Sequence, residues 1–256
     1  MSFPWGGELN GLALCAGFGG LERGLESVID GYRTVCYVEG ETYPAAVLAS
    51  KMEKGQILKA PIWSNVRTFE GERWRGKVDL LSGGFPCQPY SQAGKQLADK
   101  DPRDLWPDFS RIIGEVRPRI IFLENVPNVV KWALPTVLKD LSQMGYNAAW
   151  CVIAASDVGA PHQRKRWFLL AHANRQRTKR HRVKLESGEV LKRHPNPKGF
   201  KSGGASTWWQ IEPSMGRMVD GVAHWVHRIR GCGNGVVPQQ AEYAFRLLNE
   251  QLGAVE

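Results

Sequence analysis

No run of about 20 apolar residues occurs in this chain of 256 residues, so no transmembrane helix and no membrane partner are expected. The opening stretch, MSFPWGGELNGLALC, lacks a basic segment followed by an apolar one, which argues against a secretory signal. Cysteine is scarce. The five (Cys15, Cys36, Cys87, Cys151 and Cys232) are odd in number and irregularly spaced, a pattern of free thiols rather than a disulfide framework, and the expected compartment is the cytoplasm. The phosphate-cradling pattern GxxxxGK followed by Ser or Thr is missing, so a P-loop nucleotidase is not supported. No internal repeat and no dimer motif stand out, which leaves a monomer as the default expectation.

What is present is enough apolar material for a sizeable core, 43% of the residues, at a length that suits one domain with a small insertion. Net charge is +9, and it is concentrated. Between residues 172 and 201 stand ten lysines and arginines, among them Arg175, Arg177, Lys179, Arg180 and Arg182, against only two acids, Glu186 and Glu189. A local basic block suits a polyanionic partner such as a phosphate backbone. A solvated loop is the equally open alternative at this point.

Residues 12–171 alternate short apolar runs with helical spacing. Leu12–Cys15, Thr34–Val38, Val78–Leu81, Ile120–Leu123, Ala148–Ala154 and Trp167–Ala171 read as strands. Residues 21–29, Pro44–Met52, Pro107–Val116 and Thr136–Met144 read as helices. This alternation predicts an α/β fold with a doubly wound, mostly parallel sheet covered on both faces. The pattern divides into an α/β domain over 1–171, a small basic insertion over 172–216, and a segment over 217–256 that returns to the first domain and holds a helix at Ala241–Leu252.

Two places carry the chemistry. In LCAGFGGLERG, Gly17, Gly19 and Gly20 lie between a strand and a helix, where glycine permits a tight turn and close approach to a ligand. Glu39 ends the next strand, where an acid can bind ribose hydroxyls. Alone, this pair is equally compatible with a purely structural turn. The second place is GGFPCQPYS, residues 83–91, after the strand VDLL. It puts Cys87 in a loop stiffened by Pro86 and Pro89, at the strand end where open sheets bind ligands. The strand IIFLENV delivers Glu124 and Asn125 nearby, the acid read as exposed after four apolar residues. An inert buried thiol and a helix-capping acid are the ordinary alternatives.

The segments LALCAGFGGLERG, GGFPCQPYS, ENV, HQRKRW and GNGVVPQ, in this order, resemble the cytosine-carbon-5 DNA methyltransferase family over nearly the whole chain. The (D/N/S)PP(Y/F) loop of methyltransferases acting on exocyclic amines is absent. The resemblance implies a sheet of the S-adenosylmethionine-dependent methyltransferase type with a target-recognition insertion. It implies Cys87 as the nucleophile on carbon 6 of cytosine, a role for which thiolate suits because it adds readily and departs again. It implies Glu124 at ring nitrogen 3, Asn125 and Arg166 as supports, and Arg164 at the base carbonyl oxygen. S-adenosylmethionine, left as S-adenosylhomocysteine, would be surrounded by Ala16, Gly17, Phe18, Gly19, Gly20, Asn65, Val66, Asn234, Gly235 and Val236, with Glu39 on its ribose. Three departures bear on cofactor affinity rather than chemistry. Cys15 stands where the family usually has Phe, Gly40 where a large side chain usually follows the acid, and Asn65 where Asp is common.

The resemblance further implies duplex DNA as substrate, with the target base flipped out of the stack. Gln88 and Ser91 would stand beside the gap, and the basic region would serve target recognition. That region is short for the family, which predicts a short or relaxed recognition sequence. A separately encoded restriction endonuclease is compatible with this setting. Trp208 and Trp209 are read as anchors of the insertion in preference to a wedge into DNA. His224, His227 and Cys232 lack a clear fourth ligand, so no metal is expected. The same chemistry on transfer RNA, a non-catalytic DNA-binding relative and an NAD-type oxidoreductase are the competing readings. The last leaves the Pro-Cys loop unexplained.

Overall fold

The computed structural model describes residues 8–86, 104–174 and 235–253. Within them a seven-stranded sheet forms, from β1 (Leu9–Leu14), β2 (Tyr32–Val38), β3 (Ile62–Trp63), β4 (Leu80–Gly83), β5 (Ile120–Asn125), β6 (Tyr146–Ile153) and β7 (Arg166–Ala173). The strand order is β3-β2-β1-β4-β5-β7-β6. The first five strands pair in parallel, and β7 runs antiparallel to both β5 and β6. Six α-helices accompany them: α1 (Gly20–Val28), α2 (Thr42–Glu53), α3 (Trp106–Val116), α4 (Val129–Trp132), α5 (Leu134–Gln143) and α6 (Pro238–Gly253).

The central strands are apolar runs rather than alternating ones because both their faces are covered. In β5, Ile121 and Leu123 face a core shared with Phe109, Ile112 and Ile113 of α3 and Val137 and Leu141 of α5. Ile120 and Phe122 face the other core, with Leu21 and Leu25 of α1 and Ala244, Phe245 and Leu248 of α6. Leu48 and Met52 of α2 pack on Ala13 and Tyr37. This is the doubly wound sheet expected from the sequence.

The chain builds β1, β2 and β3 outward in one direction, then returns to start β4 and β5 on the other side of β1. The crevice beyond the carboxyl ends of β1 and β4 is therefore a topological switch point, where such sheets bind ligands. A late return closes it. A Cβ on Gly20 would stand 2.6 Å from the Val236 carbonyl oxygen, and one on Gly24 would stand 2.6 Å from the Pro238 oxygen and 2.7 Å from Ala241 Cβ. Glycines one turn apart on α1 thus let the backbone entering α6 lie directly against the helix.

The structure adjusts several expected bounds. β7 extends through Ala173, into the stretch expected as insertion, and β4 is displaced toward Gly83. Apart from these first residues, the basic region lies outside the described residues, as do Trp208, Trp209, His224, His227 and Cys232.

Candidate active site

A cavity of about 760 Å³ opens along the carboxyl edge of the parallel strands, within the usual range for small-molecule sites. Most of its walls are strand exits. The β1–α1 turn supplies Cys15, Ala16, Gly17, Phe18 and Gly20. β2 supplies Glu39, and the exit of β3 supplies Asn65 and Val66. Gly84, Phe85 and Pro86 follow β4, Glu124, Asn125 and Val126 close β5, Arg166 opens β7, and Gly235 and Val236 precede α6.

The glycine turn is held by the acid opposite. Gly17 (φ 54°) and Gly19 (φ 74°) take left-handed backbone conformations, and the Gly17 N–H donates to Glu39 Oε2 at 2.7 Å. The Glu41 N–H donates to Glu39 Oε1 at 2.7 Å. Burial pushes the Glu39 carboxyl above its ordinary pKa, against the pull of these two N–H groups, which favour the charged form. Each oxygen keeps a lone pair for a ligand hydroxyl. From α2, Lys51 Nζ donates to the Phe18 carbonyl at 2.6 Å, fixing the turn from the far side.

At the exit of β3, the Asn65 side-chain oxygen accepts from the Arg67 N–H at 3.0 Å and caps a short 3-10 turn, Val66–Thr68. Cys15 lies in the cavity wall, its thiol pushed up to about 12 by burial and by the charges of Glu39, Asp108 and Glu41. Near neutral pH it is therefore held as the thiol. A Cβ on Gly40 would meet the Ser64 carbonyl oxygen at 3.2 Å, so the backbone after Ile62–Trp63 already lies close to this position.

The other end holds the acid. Glu124 is 8% exposed, which corrects the expectation of an exposed carboxylate. It remains inside β5, and β7 brings Arg166 Nε to 2.9 Å from its Oε1. Burial raises its pKa to about 7, opposed by the charges of Arg166 and Arg164. Such a carboxyl can both give and take a proton near neutrality. Gly84 lets the β4 exit pass close by, since a Cβ there would stand 3.0 Å from Glu124 Oε2. Asn125 Nδ2 donates to the Phe85 carbonyl at 2.8 Å, and its oxygen accepts from the Val126 N–H. Asn125 therefore ties the β4 exit to the β5 exit one residue before Pro86.

Phe85 also packs its ring 5.4 Å from that of Trp106, which pins together the two ends flanking residues 87–103. Cys87, Gln88 and Ser91 lie in that segment, outside the described residues, as do Asn234, Arg175, Arg177, Lys179, Arg180 and Arg182. Arg164 has φ 22°, a conformation that costs a non-glycine residue of order 1–3 kcal/mol. Its guanidinium donates to the Gly235 carbonyl, which ties it to the cavity wall.

Two lining or bracing residues escape a sequence reading. Glu22, on α1, is buried at the cavity and accepts from Ser82 Oγ at 2.7 Å, and its second oxygen is buried without a partner. Gln240, on α6, donates to two backbone carbonyls. Both have the spacing of a buried helix stripe, Glu22 with Leu25 and Gln240 with Ala244, which is the signal that could have found them. The glycine turn, the buried acid with spare acceptor capacity and the cavity size fit a nucleoside-bearing cofactor such as S-adenosylmethionine. Among the described residues, no three His, Cys, Asp or Glu side chains cluster as metal ligands, and no helix is long and apolar enough to cross a membrane.

Comparison with known proteins gives a consistent result. The sequence profile of a family described as C-5 cytosine-specific DNA methylase matches residues 9–220. The chain is 34% identical over 175 residues to Type II methyltransferase M.NgoMIV of Neisseria gonorrhoeae, covering 65% of this chain and 53% of that one. It is 33% identical over 237 residues to Type II methyltransferase M.CviJI of Paramecium bursaria Chlorella virus IL3A, covering 91% of this chain and 58% of that one. The chain thus spans just over half the length of these two relatives. The solved structure of S. pombe Dnmt2 methyltransferase superposes with a TM-score of 0.55 at 21% identity, over 66% of this chain and 52% of that one, a likeness of fold.

Proposed function

For a chain that belongs to the C-5 cytosine-specific DNA methylase family, we propose transfer of a methyl group from S-adenosylmethionine to carbon 5 of cytosine in duplex DNA. The observation that carries this is a single cavity with two chemically distinct ends. One is the glycine turn with Glu39. The other is Glu124, a buried carboxyl that titrates near neutrality, beside the strand exit leading to Cys87. The cofactor, when bound, supplies an electrophilic methyl group.

The chain's own residues make carbon 5 nucleophilic. The Cys87 thiolate adds to carbon 6 while Glu124 delivers its proton to ring nitrogen 3, so the electron pair of the 5,6 double bond becomes available at carbon 5. Arg166 neutralises the Glu124 carboxylate left behind, at the contact described above. Arg164 stabilises charge developing on the base carbonyl oxygen. After transfer, a base such as water takes the proton from carbon 5, the thiolate leaves carbon 6 to restore the double bond, and ring nitrogen 3 returns its proton to Glu124. Asn125 holds the loop stem so that the thiol arrives at a fixed place. Glu39 would bind the ribose, Asn65 and Val66 would hold the adenine, and the turn Ala16–Gly20 with Gly235 and Val236 would enclose the methionine portion. The basic region beyond β7 contacts the phosphate backbone and reads the target on the flipped-base complex.

Labelled methyl transfer to mixed-sequence duplex DNA tests the reading. Wild type is expected to label cytosine carbon 5, and Cys87→Ser to lose at least about 1,000-fold in rate. Labelling of transfer RNA in place of DNA would move the substrate to RNA. A folded, cofactor-bound protein inactive on both would sink the proposal.

A further inference from the structure

Gln240 sits in the first turn of α6, fully buried. Its side-chain amide donates to the Ile153 carbonyl at 2.7 Å, where β6 ends, and to the Arg164 carbonyl at 2.9 Å. Both neighbours are carbonyl oxygens, so only the NH2 group can face them, and the amide orientation is dictated by its surroundings. The side-chain oxygen is buried without a partner. A polar side chain held so deep at that cost is expected to do something an apolar residue of the same size cannot.

What it grips is unusual. Arg164 is one of three non-glycine residues at positive φ among the described residues. The Ala155 N–H, which donates to Gln163 O at 2.8 Å, also lies 3.3 Å from Arg164 O. On the other side, the Arg164 guanidinium reaches the Gly235 carbonyl. The same short stretch, Gly235 to Gln240, therefore holds Arg164 at both its backbone and its head group. Gly235 and Val236 also wall the cofactor end of the cavity.

We propose that Gln240 is a positioning residue for Arg164: from α6 it fixes the turn that presents the guanidinium to the reacting base. The inference rests on the reading of Arg164 as the group that meets the base carbonyl. Gln240 acts through its two amide hydrogens and touches neither substrate nor cofactor. A displaced Arg164 loses alignment with the reacting ring, and misplacement by about 1 Å can cost on the order of 100-fold in rate.

A double-mutant cycle on the full chain tests this, with Gln240→Met, which keeps the shape and removes both donors, and Arg164→Ala. Gln240→Met alone is expected to lower methyl-transfer kcat/KM about 10–100-fold. Its affinity for S-adenosylhomocysteine, measured calorimetrically, should stay within about threefold. In the Arg164→Ala background the same change should cost less than about twofold, because the two residues act as one unit. Equal losses in both backgrounds would mean a merely structural role and overturn the proposal. Amide hydrogen exchange over residues 155–166 should accelerate in Gln240→Met while β1, β4 and β5 stay protected, and unchanged exchange there would also overturn it. Should Gln240→Met fail to fold, Gln240→Asn, whose donors fall one methylene short, supplies a milder variant for the same measurements. If wild type labels neither DNA nor RNA, the proposed function fails, and the exchange result still decides whether Gln240 braces the turn.

Discussion

Glu22 accepts a hydrogen bond from Ser82, yet burial still pushes its carboxyl up to about 7 from an ordinary 4.5. The native state therefore binds this proton more tightly than the unfolded chain does. Its stabilisation is complete below the unfolded value and is lost as pH rises through about 7, a change of at most ~3 kcal/mol. Glu124 contributes with the same sign. Denaturant melts of the wild type should weaken between about pH 4.5 and 7, and Glu22→Gln should remove part of that trend. A wild-type stability that rises over this range would contradict the burial argument. At this scale the sequence was partly legible. Glu39 and Glu124 stand out because each ends an apolar run, and the structure brings both to one cavity. The burial of Glu124 was not legible, because its partner Arg166 arrives through β5–β7 pairing across more than 40 positions of sequence. Glu22 and Gln240 were overlooked because a polar residue on a helix is usually on the solvated face.

Among the elements, the contact between α1 and α6 depends on the absence of side chains at Gly20 and Gly24. At Gly24 the obstacles are backbone and a helix methyl group, neither of which can swing aside. Gly24→Val is expected to force α6 away and destabilise the fold by about 1–3 kcal/mol, lowering Tm by several degrees for a chain of this size. Cofactor affinity should fall with it, since Val236 moves with α6. A variant with wild-type Tm and affinity would show that the helices can slide. Strands and helices of ordinary length were legible from their periods, usually to within two residues. β3 was not, because two residues carry no period. The order of the last two strands was also hidden. An apolar run buried on both faces looks the same in a parallel or an antiparallel neighbour, and β7 inserts antiparallel between β5 and β6.

The whole molecule carries its excess charge in one place, beyond β7. If that region binds phosphate, DNA affinity will fall steeply with salt, and each lost phosphate contact will flatten the log–log slope by about 0.9. Replacing Arg175, Arg177, Lys179, Arg180 and Arg182 together by Gln should reduce the slope by up to about 4 to 5 and leave S-adenosylhomocysteine binding unchanged. An unaltered slope would send the phosphate contacts elsewhere on the surface. The charge block was legible in the sequence because it is local. Its arrangement was not, because that basic stretch has no period to read.

The place of α6 in the chain sets a timetable for synthesis. The helix covers one face of the sheet and of α1, but residues 175–234 are translated between β7 and it. At ~5–20 residues per second the ribosome needs roughly 3–12 s to cross that stretch. During this interval Leu21, Leu25, Phe122 and Phe168, which α6 later covers, belong to a nascent chain with an uncovered apolar face. A chain halted in the basic stretch would lack Gly235, Val236 and α6, so this apolar face would lose the helix that packs on it and the cofactor end of the cavity would lose one wall.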